Sequence, residues 1–124
     1  MKSLIIFLAA AAFATTVSAN SACDKPRDDF DGLYCLNKVY LEADAELNAN
    51  YKKLVQKLDT QGAGALKKGQ LQWLDERNAR CSKRDGDGFF VNLNCATRKT
   101  IDRVQFLQDR YRECVSSGCQ NSKL

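Results

Sequence analysis

The sequence has 124 residues, of which 19 are basic and 15 acidic, and it contains no histidine. A chain of this length has room for one folded domain. The basic residues are scattered rather than arranged in a stripe with interleaved aromatic residues, which argues against a nucleic-acid-binding protein, and the lack of histidine, the commonest general base, argues against an enzyme.

The N-terminal segment predicts export. Lys2 precedes an unbroken apolar run over residues 4–14, and the small residues at 17–19 fit a signal-peptidase site. The run is too short to span a bilayer and no second one follows, so a secretory signal peptide is favoured over a membrane anchor. We expect cleavage after Ala19, a periplasmic or secreted location and no stable membrane anchor. The mature domain, residues 20–124, would carry a net charge of about +3.

The mature chain contains six cysteines: Cys23, Cys35, Cys81, Cys95, Cys114 and Cys119. An even number in a small exported domain predicts disulfides. Zinc binding is the competing interpretation, but the sequence has neither a Cys-x-x-Cys pair nor a histidine. A lipid anchor on the first cysteine would leave an odd number of thiols. Chain geometry favours bridges between nearest neighbours, which are Cys23–Cys35, Cys81–Cys95 and Cys114–Cys119.

The first predicted helix has the clearest pattern in the sequence. It follows a polar segment over residues 20–31, whose aspartates favour the positive end of a helix dipole. Apolar side chains then recur every three or four residues, as on one face of a helix. This stripe consists of Leu36, Tyr40, Ala43, Leu47, Tyr51, Leu54 and Leu58. We expect the Gln-Gly-Ala-Gly sequence at residues 61–64 to end this helix.

A second helix is predicted over residues 65–81, with a stripe that mixes apolar and polar side chains. Its members are Leu66, Gln70, Trp73, Arg77 and Cys81. Polar groups on a buried stripe need partners, because burying them unpaired is costly. Residues 82–94 are predicted to form a loop, since no strand pattern of useful length appears there.

A third helix is predicted from about Cys95 to about Cys114. Its stripe consists of Thr97, Thr100, Val104, Leu107, Tyr111 and Cys114. The tail that follows is small and polar, and we expect it to be mobile beyond Cys119, leaving a core of about residues 23–114. The predicted fold is therefore all-α, a small three-helix domain stapled by disulfides after a signal peptide.

Polar residues on the three helices form a further constellation. They are Asp44, Asn48, Tyr51, Gln70, Trp73, Arg77, Thr100 and Arg103. One interpretation is a recognition patch or carboxylate site on the surface. We favour the other, a buried structural network in which Asp44 pairs with Arg77 or Arg103, because these residues share stripes with the apolar core.

The order and spacing of these residues resemble the LprI-type lysozyme-inhibitor domain of small exported bacterial proteins. The resemblance runs over residues 23–112 and rests on three segments in register. Its residues are Cys35, Tyr40, Asp44, Leu47, Asn48, Tyr51, Gln70, Trp73, Arg77, Cys81, Cys95, Thr100, Arg103 and Leu107. Two features depart from that family: Asn78 stands where an aspartate usually follows the matched arginine, and the pair Cys114 and Cys119 is additional.

The resemblance implies a compact helical domain of the bacterial envelope and suggests lysozyme inhibition. From the residues themselves we expect a protein partner and no cofactor or metal. The first functional hypothesis is that the protein is a lysozyme inhibitor that occludes the enzyme. The predicted loop offers the candidate partner-binding residues Lys83, Arg84, Phe89 and Phe90, whose cations could face the paired carboxylates of a lysozyme cleft. The competing and simpler interpretation of Lys83 and Arg84 is an ordinary solvated turn. The alternative is a periplasmic interaction protein, such as a toxin immunity factor or an envelope-stress adaptor, with no effect on lysozyme.

Overall fold

A computed structural model describes residues 23–124 of the chain. The predicted signal peptide and its cleavage after Ala19 lie outside these residues. Three helices dominate: α1 (Asp29–Val55), α2 (Thr60–Cys81) and α3 (Leu93–Ser117). Two short strands, β1 (Ser82–Asp85) and β2 (Gly88–Val91), connect α2 to α3, and a turn of 3-10 helix (Asn121–Lys123) follows α3. The predicted three-helix fold is confirmed.

Each long helix begins at a side chain that accepts a hydrogen bond from an otherwise unpaired backbone N–H group. The caps are Asp28 for α1, Asp59 for α2 and Asn92 for α3. Short polar side chains at this position satisfy donors that have no partner within the helix. These three residues therefore fix where the helices start.

The boundary between the first two helices differs from the prediction. α1 ends at Val55, and α2 begins at Thr60, so residues 61–64 lie in the first turns of α2 rather than ending α1. The prediction was wrong because two nearby glycines resemble a helix terminator, whereas the Asp59 cap starts a new helix just before them. Leu58, outside α1, still packs against the core.

The core lies mainly between α1 and α3, with α2 packed across them. Its buried members are Leu47, Leu54, Leu66, Val104 and Leu107, and three of them are fully inaccessible to solvent. All five lie on the stripes that the sequence predicts. The apolar periodicity thus identified the packed face of each helix.

The three disulfides join Cys23 to Cys35, Cys81 to Cys95 and Cys114 to Cys119. These are the nearest-neighbour pairings favoured from the sequence, and they are confirmed. Each closes a short segment, with sequence separations of 12, 14 and 5 residues. The second bridge joins the last residue of α2 to the first turn of α3, so it spans the base of the two strands.

The C-terminal tail lies against α2. Asn121 Nδ2 donates a hydrogen bond to Asp59 Oδ1 at 3.1 Å, and Leu124 packs against the core cluster. Lys123 Nζ lies 3.5 Å from a carboxylate oxygen of Glu113. The residues beyond Cys119, for which the sequence suggested mobility, are thus placed in contact with the domain.

Candidate functional site

Residues 82–91 form a β-hairpin where the sequence predicted a loop without strands. Asp85 faces Gly88 across a two-residue turn, and Gly86, the first turn residue, has a φ of +58°. Such a turn requires a positive φ at its first residue, which glycine adopts without strain. The Gly-Asp dipeptide between two short runs was therefore a hairpin signal that the prediction missed.

The hairpin projects from the helical domain. All eight strand residues are exposed, and Phe89 and Phe90 remain 71% and 55% accessible. An isolated two-stranded ribbon is marginally stable in water, so this one depends on its attachment. Large apolar side chains left in solvent on a projecting element are typical of a binding surface.

The base of the hairpin is fastened by covalent and hydrogen bonds. The Cys81–Cys95 disulfide flanks it, and Asn92 N donates to Cys81 O at 2.8 Å. Ser82 Oγ donates to Asn78 O, in the last turn of α2, at 2.7 Å. The ribbon is therefore held in one direction relative to the helices.

The strand register brings the four candidate partner-binding residues together in two pairs. Lys83 lies opposite Phe90, and Arg84 lies opposite Phe89. Directly opposed residues of an antiparallel pair share a face of the ribbon, so each face carries one cation and one phenyl ring. Lys83 Nζ lies 5.4 Å from the centre of the Phe90 ring, within range of a cation–π contact.

A second candidate surface is a groove of about 340 Å³ between α2 and α3, which we call the arginine groove. It is lined by four cations, two carboxylates and two aromatic rings. These residues are Arg77, Arg80, Lys99, Arg103, Glu76, Asp102, Trp73 and Phe106. Its size falls within the range of small-molecule sites in proteins.

Arginine side chains stack on the aromatic rings of this groove. The guanidinium carbon of Arg103 lies 4.2 Å from the centre of the Phe106 ring and 5.9 Å from that of Trp73. The corresponding atom of Arg77 lies 5.1 Å from Trp73. Burial lowers the pKa of Arg103, while the nearby charge of Glu76 raises it. The groove thus holds a cation that is partly removed from water.

The predicted structural network forms only in part. Arg103 Nε donates to Gln70 Oε1 at 2.9 Å, and Arg77 Nη1 donates to Thr100 Oγ1 at 3.4 Å. These bonds link α2 to α3 as polar groups on facing stripes require. Together with Trp73, these four residues form one cluster.

The α1 members of the predicted network form no hydrogen bond with that cluster. Asp44 Oδ2 accepts a hydrogen bond from Asn48 Nδ2 at 3.3 Å, and the predicted ion pair with Arg77 or Arg103 does not form. On α1, the centre of the Tyr40 ring lies 5.8 Å from the guanidinium carbon of Arg77. Tyr51 packs against the core. For Arg77 the prediction failed because α1 contacts α2 only sparsely, whereas Arg103, on α3, donates to Gln70 of α2 instead.

Five residues of the arginine groove were missed from the sequence: Glu76, Arg80, Lys99, Asp102 and Phe106. A signal was available, because Arg80 lies one helical turn after Arg77, and Lys99 and Phe106 lie within two turns of Arg103 on α3. Residues at these spacings share a helix face. The pattern could have been found by extending the two polar stripes by a turn.

No helix within residues 23–124 is long and apolar enough to cross a membrane. Comparison with known protein families shows that the family described as "Lysozyme inhibitor LprI" matches residues 23–107, more than half of the chain. No curated protein and no solved structure matches the chain. The matched region contains the hairpin, the arginine groove and the first two disulfides, and it ends before Cys114.

Proposed function

Because the chain belongs to the LprI lysozyme inhibitor family, we propose that it binds a lysozyme and keeps substrate out of the enzyme's cleft with its hairpin. A lysozyme cleft is concave and contains two carboxylates that act on a sugar polymer. An inhibitor needs only a convex element that fills such a cleft. The projection of the hairpin, with every strand residue exposed, is the observation that carries this proposal.

The side chains of the hairpin suit such a contact. Aromatic and arginine side chains dominate the binding energy of protein interfaces, and Arg84 and Phe89 lie opposite each other on one face of the ribbon. Two acidic residues near the turn, Asp85 and Asp87, would be repelled by the cleft carboxylates. We therefore assign the contact with those carboxylates to Arg84 rather than to the tip of the turn.

Attachment of the hairpin also favours tight binding. A loop that is free in solution loses conformational entropy when it binds, and a loop already held in one conformation loses less. The Cys81–Cys95 bridge and the bond from Asn92 N to Cys81 O restrain the ribbon at its base. The hairpin would thus enter the complex with little ordering cost.

The proposal includes export. Three disulfides require an oxidising compartment, which is where lysozymes meet the cell wall. The N-terminal sequence supports a signal peptide cleaved after Ala19, which would deliver residues 20–124 to the periplasm or the medium. Inhibition by contact needs no catalytic group.

A turbidity assay of peptidoglycan lysis tests the function. Oxidised mature protein at micromolar concentration should slow lysis by at least one member of a lysozyme panel. Arg84→Glu and Phe89→Ala should each weaken inhibition by about tenfold or more, as truncation of an interface anchor does. Lys67→Glu, an equal charge reversal at an exposed position of α2, should leave inhibition unchanged.

Two results would contradict the proposal in different ways. Lysis that proceeds at the same rate for every enzyme tested would remove lysozyme as the partner. Inhibition that survives the double variant Arg84→Glu/Phe89→Ala would leave the partner in place but assign the contact to another surface. Because both residues are exposed, neither substitution should disturb folding.

A further inference from the structure

The charges of the arginine groove are unbalanced. Four cations and two carboxylates line it, and none of the four cations forms a salt bridge with any residue in the described part of the chain. Of the two carboxylates, Glu76 already accepts a hydrogen bond from Gln72 Nε2 at 3.2 Å. The groove therefore presents a net positive charge.

The arginines of the groove donate only to neutral oxygens. Arg77 donates to Asn78 Oδ1 at 3.0 and 3.2 Å through Nη2 and Nε, and Arg103 Nε donates to Gln70. Arg103 Nη2 is buried and has no hydrogen-bond partner. A buried donor without an acceptor raises the free energy of the folded protein. Because that nitrogen is out of reach of solvent, a ligand would meet the other two cations, Arg80 and Lys99, whose side chains form no hydrogen bond within residues 23–124.

The aromatic rings hold these arginines without consuming their N–H groups. Trp73 lies within cation–π distance of both Arg77 and Arg103, and Phe106 lies closer still to Arg103. A cation–π contact uses the face of the guanidinium, so these two charges stay in the wall of the groove. The exposed parts of the rings also offer an apolar wall to a ligand.

We propose that the arginine groove is a binding site for an acidic sugar, whose carboxylate is received by Arg80 and Lys99 and whose ring lies along Trp73. The cations account for the negative group, and planar guanidinium groups bind carboxylates through paired hydrogen bonds. The aromatic side chains favour a ligand that contains a ring over a bare anion. This site is separate from the hairpin and does not depend on lysozyme binding.

The protein contains a reporter of this site. Trp73 is the only tryptophan in the sequence and lines the groove, so its fluorescence responds to occupancy. Oxidised mature protein should be titrated with N-acetylmuramic acid, with its uncharged counterpart N-acetylglucosamine and with inorganic phosphate, followed by fluorescence and by calorimetry. We expect saturable binding of the acidic sugar that weakens as salt is added, weaker binding of phosphate and no binding of the neutral sugar.

Two variants at the rim of the groove test the residues. Arg80→Gln and Lys99→Gln should each raise the dissociation constant for the acidic sugar by about threefold or more, since each removes one nearby charge. Lys68→Gln, at an exposed α2 position outside the groove, should leave it unchanged. Thermal melts of all three variants should resemble that of the parent, which separates loss of binding from loss of folding.

Each contrary result overturns a stated part of the proposal. Equal affinity for the neutral sugar would exclude recognition of the charge, and equal affinity for phosphate would exclude recognition of the sugar ring. An absence of both heat and fluorescence change, or a dissociation constant unaffected by both rim variants, would exclude the groove as the site. No lysozyme is present in these titrations, so their failure is distinguishable from failure of the inhibitor proposal.

Discussion

Asn121 and Asp59 are joined by a hydrogen bond although 62 residues separate them in the sequence. The carboxylate oxygen that accepts from Asn121 Nδ2 at 3.1 Å also accepts from Gly62 N at 2.7 Å, the bond that caps α2. One oxygen thus secures both the start of a helix and the end of the chain. The two donors, Gly62 first and Asn121 second, hold the pKa of Asp59 below its ordinary value of 3.8.

This depressed pKa predicts an acid-sensitive attachment of the tail. A carboxyl group whose pKa is lower in the folded state stabilises the fold above its unfolded pKa and loses that contribution as the pH falls through the folded value. The pKa of Asp31 is lowered in the same way, by the backbone and side chain of Arg27. We therefore expect the melting temperature to fall as the pH is lowered from about 5 towards 2.

The variant Asp59→Asn separates the contribution of the α2 cap to this loss of stability at low pH from the contributions of other groups. The amide retains an oxygen for Gly62 N but does not titrate, so the variant should lose less stability on acidification than the parent. Asp75→Asn, at an exposed position of the same helix, serves as the control. Melting curves for Asp59→Asn that track the parent at every pH would show that the cap does not govern the response.

Gly62 and Gly64 should respond in opposite directions to alanine. A Cβ atom at Gly62 would lie 2.5 Å from Asn121 Oδ1, whereas one at Gly64 would have no neighbour within 4 Å. Alanine favours a helix over glycine by about 1 kcal/mol, so Gly64→Ala should raise the melting temperature. Gly62→Ala should lower it and increase hydrogen exchange in residues 121–124. Equal stabilisation by both variants would mean that Asn121 of the tail does not contact Gly62 of α2.

Replacement of either of two leucines tests the packing of the core. Leu54 and Leu66 are fully buried, and replacing either with alanine should cost about 2–5 kcal/mol of unfolding free energy. Leu71, on the same helix as Leu66, remains 54% exposed, and its replacement should change stability by less than about 0.5 kcal/mol. Urea titrations followed by circular dichroism provide the measurement. Comparable losses at Leu66 and Leu71 would contradict the assigned packing of α2.

The disulfide beneath the hairpin should matter to both stability and inhibition. Replacing Cys81 and Cys95 with alanine should cost about 3 kcal/mol, as expected for a bridge that closes a loop of this size, and should weaken any lysozyme inhibition by freeing the ribbon. Replacing Cys114 and Cys119 should lower stability but leave inhibition at the parent level. If both double variants inhibited equally well, the bridge at the hairpin would have no part in binding.

Local patterns in the sequence were sufficient for the packed faces of the helices and for the bridges. The α1 stripe predicted the burial of Leu47 and Leu54 because a helix repeats its faces regularly. The cysteine pairs followed from short separations along the chain. In both cases the residues concerned are close in the sequence, within one helix or one connection.

Contacts between distant segments were harder to predict. Asp44 finds Asn48 one turn away instead of an arginine on another helix, because the rotation and offset of packed helices depend on the whole core. The contact of Asn121 with Asp59 likewise gives no local signal, although it explains the glycine at position 62. The sequence thus supplied the four candidate residues of the hairpin and three of the eight groove residues, while the groove itself required the structure.

The ribbon formed by β1 and β2 exposes strand edges through which two copies of the protein can pair. A two-stranded sheet leaves the outer backbone groups of both strands without strand partners, and such edges can pair between molecules. Along β1, Lys83 and Arg84 would repel the same residues of a second copy. Along β2, the Gly-Phe-Phe-Val run carries no charge. At high concentration, copies of the protein should therefore pair through the edge of β2, because this strand carries no charge that would repel the same strand of a second copy.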